Sequence, residues 1–257
     1  MPFTISHAAA ALPLHKLTRT QLPLAALMIG SMSPDFAYFL PGDPDRLVTH
    51  NIAGLFWFCW PASLAAWLLF VRVLERPTLA LLPQTWQSRI TPSTRELNLK
   101  AFALASAAVI LGAATHIVWD SFTHPISPVV DAFPALRAVA FDIGGMHIRW
   151  YALLQHSSSL LGMAALLIWA WRLVRRATPV TAVRPWHSPS ISNKTRVGAV
   201  LLLFATSCAL ALARYEAYPD IGFNRRLFHL AIGGMTGWAL AWCAIALSIS
   251  WRTRAAR

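Results

Sequence analysis

The chain has 257 residues, of which 56% are hydrophobic and only 12% charged. That balance excludes an ordinary soluble domain and points to a polytopic membrane protein. The formal charge of +12 does not imply a nucleic-acid partner, because the basic residues cluster beside apolar runs, as the positive-inside rule requires; the expected partner is the lipid bilayer.

In chain order, the first 51 residues hold one short apolar run, 21–31, with Lys16 and Arg19 before it. No small-x-small cleavage site follows, and the run is short for a span, so it reads as a buried or re-entrant helix, with a sixth span as the alternative. His7 follows Thr4 and Ser6, both candidate helix caps. Five later runs, 52–74, 100–121, 152–174, 196–213 and 228–250, approach the about 20 apolar residues that cross a bilayer. The segment 175–195 carries Pro179, Pro185 and Pro189 and reads as a flexible linker. The expected fold is an all-α polytopic membrane helix bundle forming a single integral domain. Residues 1–51 make an N-terminal helical region packed at one face, and 52–250 make the bundle.

Arginine places the loops. The segments 72–100 and 172–196 and the tail are rich in it, which puts them and the C-terminus on the cytoplasmic side. The N-terminal region and the loops 122–151 and 214–227 then lie outside. Cys59, Cys208 and Cys243 all fall in apolar runs, make no CxxC pair and read as apolar packers.

Chemistry concentrates at the end of the second run. His116 and Asp120 are four apart and share a helix face; His124 follows on the same register, just before Pro125, which ends the helix. Imidazoles and a carboxylate buried at the end of an apolar helix need a partner, and a metal ion is the simplest. Asp35, His50 and His156 fall at the same membrane face in the five-span order, although the spans were chosen without them. The plain alternatives are a His–Asp pair that ties helices together, Asp35 as a first-turn helix acid, and His124 as a solvated C-terminal residue. Arg149, near the same face, is a candidate phosphate-binding residue or an interfacial anchor. His15 and His187 read as interfacial or solvated, and His147 and His229 as outlying supports.

Several segments resemble one bacterial membrane family, a domain of unknown function (DUF4184). They are Met1 to Ala10, Gly30 to Phe39, Thr49-His50, Ser121 to His124 and Leu154 to Ser158. More distantly, the order of Asp35, His50, His116 and Asp120 is similar to that in membrane-bound metal-dependent hydrolases of the YdjM type and in the zinc-dependent phospholipase C fold. That likeness implies that these four are metal ligands, with His7, His124 and His156 as further ones. The chain departs from the phospholipase pattern in two places: Leu160 stands four residues after His156 where a Glu is expected, and the N-terminal Trp ligand is absent.

The expected function is metal-dependent hydrolysis, with one or two divalent ions, zinc foremost, and a phosphoester or lipid-like substrate at the membrane surface. Asp120 is the expected catalytic carboxylate, orienting a metal-activated water. The alternative is a non-enzymatic metal-binding transporter or structural assembly factor. A transporter would place its polar groups near the bilayer midplane.

Overall fold

The computed structural model describes residues 3–40, 45–90, 92–93, 97–177 and 191–255. The expected linker prolines and His187 lie outside these residues. The chain is a polytopic helix bundle. Among the described residues, five helices are long and apolar enough to cross a membrane: Ile52–Leu81, Leu99–Thr123, Trp150–Arg176, Asn193–Glu216 and Phe223–Arg252. Each extends beyond or matches the expected run because polar and basic end residues continue the helix past the apolar stretch. By contrast, the early run forms only Leu24–Met32. At about 1.5 Å of rise per residue, nine residues are too short to span, so the segment is packed in rather than crossing.

Contacts divide the chain into two units, Met1–Trp67 with Arg95–Arg175, and Leu68–Thr94 with Arg176–Arg257. In the first unit, α1 (Ala11–Leu17) and α2 (Leu24–Met32) follow a 3-10 helix at Thr4–Ala10. A second 3-10 helix, Ser33–Phe39, carries Asp35 in its first turn, and α3 is the single turn Arg46–Thr49. The span Ile52–Leu81 (α4) contains Pro61 and Pro77, which cannot donate a backbone hydrogen bond. Wider, i→i+5 turns at Leu55–Cys59 and Phe70–Leu74 precede them and absorb the mismatch.

The packing that positions the site is that of α2 on the span Leu99–Thr123. A Cβ added at Gly30 would lie 2.3 Å from the Val109 carbonyl oxygen, and one at Gly112 would lie 2.3 Å from that of Leu27. The two backbones touch, and only glycine at both positions permits it. The span Trp150–Arg176 presents Gly162 to the backbone of Ser6, while its Ser159 hydroxyl accepts a hydrogen bond from the Phe3 N–H.

Residues 122–151, expected as a loop, hold ordered elements. One turn of helix at Pro128–Ala132 is followed by an antiparallel hairpin of β1 (Val139–Ile143) and β2 (Met146–Arg149). Gly144 and Gly145 turn the hairpin at φ 60° and 83°, the left-handed values that a two-residue turn demands. The signal was present in the sequence as alternating Val139, Phe141 and Ile143 before a Gly-Gly pair.

In the second unit, Asn193–Glu216 packs on Phe223–Ala255 through Gly233 and Gly237, whose added Cβ atoms would meet the carbonyls of Leu210 and Thr206 at 2.3 Å. That spacing is the small-x-x-x-small contact of membrane helices. Ala199, Leu203, Ala241, Ile245 and Ile249 form its core, and the Trp242 indole donates to the Thr78 hydroxyl at 2.7 Å.

Substitution of Gly112 by Leu drives a side chain into the α2 backbone. We expect a loss of at least about 1–3 kcal/mol of stability, read as earlier thermal unfolding in detergent. Gly198→Leu is the control, since nothing lies within 4 Å of a Cβ there.

Candidate metal centre

Close packing of α2 on Leu99–Thr123 places Ser31 opposite His116. The His116 Nδ1–H donates to the Ser31 carbonyl at 2.8 Å. A carbonyl can only accept, so this bond fixes the tautomer and leaves the Nε2 lone pair for the site. His50 is set the same way: its Nδ1–H donates to the Arg46 carbonyl at 3.1 Å. Thr49 anchors that turn by donating its hydroxyl to the Pro34 carbonyl at 2.9 Å, which binds the His50 segment to the Asp35 segment. The Thr4 hydroxyl donates to Asp35 Oδ2 at 2.7 Å, leaving Oδ1 to face the imidazoles.

Four side chains converge. Asp35 Oδ1 lies 3.3 Å from His50 Nε2 and 3.6 Å from His116 Nε2, and Asp120 Oδ2 lies 3.6 Å and 3.4 Å from the same two nitrogens. These separations exceed the roughly 2.7–3.2 Å of a good N–H···O bond. They match ligand atoms about 2.0–2.1 Å from a shared tetrahedral ion, which sit about 3.3–3.4 Å apart. On the far side of Asp120, His7 Nε2 is 3.4 Å from Oδ1, and the His7 ring stacks on His116 at 3.7 Å.

Burial sharpens the point. Asp35 and His116 are fully buried and Asp120 is 1% exposed. His7 Nε2, Asp35 Oδ1, His50 Nε2, His116 Nε2, Asp120 Oδ1 and His124 Nε2 are buried with no hydrogen-bond partner. Orphaned buried polar atoms cost about 1–3 kcal/mol each, so a cluster of six is the mark of a site built around something else. His7, His116 and Asp120, and likewise Asp35, His50 and His116, can each hold a metal ion. The donor set of imidazole nitrogens and carboxylate oxygens fits a divalent ion such as zinc.

Charge state agrees. Burial, with His116 beside it, pushes the His7 imidazole down to about 3, so it is neutral at pH 7. Burial likewise lowers His124 to about 4, against the pull of Asp120. Burial pushes the Asp35 carboxyl up, but His116 and His50 draw it back below the ordinary carboxylate range. A neutral imidazole at His7 and an ionised carboxylate at Asp35 are forms that ligate metals.

The remaining sequence candidates separate. His124 stands at the helix C-cap, as Pro125 dictates, with its Nδ1 3.5 Å from Asp120 Oδ2 and its buried Nε2 without a partner, and it joins neither metal-ligating group. His156 is exposed on its helix and joins neither metal-ligating group. The neighbouring serines carry that motif instead: Ser158 accepts from the Trp119 indole and Ser159 from Phe3. Arg149 is exposed on β2 and donates to the Arg137 carbonyl within the hairpin region. His147, also exposed there, pairs with Asp142 at 2.8 Å, and His15 bonds the Leu22 carbonyl. His229 belongs to the second unit, stacked on Tyr218. Thr4 and Ser6 do not cap the first helix; Thr4 holds Asp35, and Ser6 donates to the Phe3 carbonyl.

Arg46 is the residue that sequence reading missed. Its guanidinium donates to Asp120 Oδ2 at 2.8 Å, its side chain is 20% exposed, and its buried Nε has no partner. The available signal was its position four residues before His50, one helical turn away.

The chain matches the family described as Domain of unknown function (DUF4184) over residues 1–249 and belongs to it. No curated protein and no solved structure matches the chain.

Purified protein reconstituted with divalent ions should bind at least one per chain. His116→Ala and Asp35→Ala should abolish that binding, whereas His156→Ala should leave it unchanged. Metal analysis by mass spectrometry checks this, and loss of metal in His156→Ala would show that the centre is assembled differently.

Proposed function

We propose that the protein is a membrane-embedded metal-dependent hydrolase that acts on a phosphoester of lipid-like character at the membrane surface. The observation that carries this reading is the convergence of the buried, unpartnered Asp35 Oδ1, His50 Nε2 and His116 Nε2 beside Asp120, with a cation, Arg46, at the rim. The bare cluster is costly to bury, and its separations suit shared coordination rather than hydrogen bonding.

Asp35, His50 and His116 would hold the ion. A divalent ion there would supply Lewis acidity and make a nearby water a stronger acid. Asp120 then has a distinct task. Its Oδ2 accepts from Arg46 and lies 3.4–3.6 Å from His116 and His50 Nε2, beside the ion position, so this carboxylate would take the proton of the attacking water. The water oxygen bonds to phosphorus, the ester P–O bond breaks, and the proton held at Asp120 passes to the leaving alkoxide. Arg46, with its spare Nε–H, supplies the donor that a phosphate oxygen needs. Arginine-rich segments on the opposite side of the spans support an exterior placement of the centre with the C-terminus cytoplasmic.

One observation favours a second reading. Asp120 Oδ2 sits within 3.4–3.6 Å of His116 and His50 Nε2, close enough to complete a four-ligand, non-catalytic centre. Asp120→Asn separates the two. For the hydrolase, the variant keeps its metal and loses about 10²–10⁴-fold in turnover of a phosphodiester such as bis(p-nitrophenyl) phosphate. For the closed centre, it loses the metal, and the wild type hydrolyses nothing.

Arg46→Ala should raise KM for an anionic phosphodiester while metal content is retained. An unchanged KM would remove Arg46 from substrate binding.

A further inference from the structure

A groove of about 490 Å³ runs beside the centre, lined among others by His7, Ala10, Leu111, Ala114, Trp119 and Gly162. We propose that it receives one hydrocarbon chain of a phosphate-bearing lipid whose head group lies at the centre; the head-group half rests on the function proposed above.

The lining decides the chemistry. Its walls are residues 111–119 of Leu99–Thr123 and 158–162 of Trp150–Arg176, two helices long and apolar enough to cross the bilayer, together with the N-terminal 3-10 helix. Every hydroxyl on the lining already spends its proton on a carbonyl: Ser6 on Phe3, Thr115 on Gly112, and Ser158 on Gln155. The Trp119 indole N–H is committed to Ser158. What remains is an apolar wall with one imidazole, that of His7, whose Nε2 is turned to Asp120 at 3.4 Å. An occupant therefore needs an apolar body, with any polar end on the side of His7, where the groove adjoins Asp120. The volume falls within the about 300–1,000 Å³ of ligand pockets. The cation beside the centre, Arg46, selects an anionic end over a neutral one. A lipid chain reaches such a groove without leaving the hydrocarbon layer, and its head group then arrives at the helix ends where His116 and Asp120 stand.

The test is photolabelling of the full-length protein in phosphatidylcholine nanodiscs with hexadecyl phosphate carrying a diazirine at the chain end, followed by peptide mapping. Adducts should concentrate at Ala10, Leu111 and Ala114. Unlabelled hexadecyl phosphate should compete and butyl phosphate should not, because the chain supplies the affinity. Ala114→Phe, or Val118→Trp if the first variant does not fold, should cut labelling by about tenfold, equivalent to about 1.4 kcal/mol. Adducts spread over outward-facing Leu160, Leu161 and Leu202, or equal labelling by a neutral hexadecyl alcohol probe, would overturn the proposal. Labelling needs no turnover. A groove that labels in a protein without phosphodiesterase activity retains the chain site and retires the hydrolase, while an active protein with no groove adduct retires the chain site alone.

Discussion

The crossing of two glycines, Gly30 on the short helix Leu24–Met32 and Gly112 on the span Leu99–Thr123, is the constraint on which the centre depends. Any Cβ at either position would occupy the space of the partner's backbone. Because the helices touch there, the Ser31 carbonyl reaches the His116 ring and fixes which nitrogen faces inward. The chain then enters the Ser33–Phe39 turn close enough for Asp35 to stand under the same imidazole. A helix pair held apart by larger side chains would leave His116 without its backbone acceptor and Asp35 out of reach.

Around that crossing, each candidate ligand side chain is oriented by a hydrogen bond behind its inward atom. Thr4 holds one oxygen of Asp35, the Arg46 carbonyl and Thr49 hold His50, and the Arg46 guanidinium holds one oxygen of Asp120. The inward atoms are left over by design of this outer set. In an apolar interior, such an array is stable only when a positive charge offsets the two carboxylates. Arg46 neutralises one of them, and the remaining charge and lone pairs form a group that could hold a metal ion.

Much of this was legible along the chain. The four-residue spacing of His116 and Asp120 shows a shared helix face whatever the rest of the fold does, and Asp35 and His50 follow from counting which helix ends lie together. Arg46, Thr4 and Ser31 were not legible in the same way. Their roles come from backbone carbonyls, hydroxyls and one guanidinium reaching across elements, and no local spacing encodes such contacts. His156 fails for the converse reason: it begins the correct span, but its rotation about that helix axis turns it outward, and a span's rotation is set by what packs on it, here Ser6 against Gly162 and Phe3 against Ser159.

By itself the sequence determined the bundle, its five apolar helices and the shared helix face of His116 and Asp120, because hydropathy and the periodicity of a helix are local properties that each segment carries alone. Only the tertiary structure decided that the segment 21–31 packs inside instead of crossing, that His7 joins the centre while His156 and Arg149 do not, and that an apolar groove shares His7 with it. Those outcomes turn on the distance and rotation between elements, which are fixed where backbones meet at glycine and where a single hydroxyl or carbonyl finds its partner.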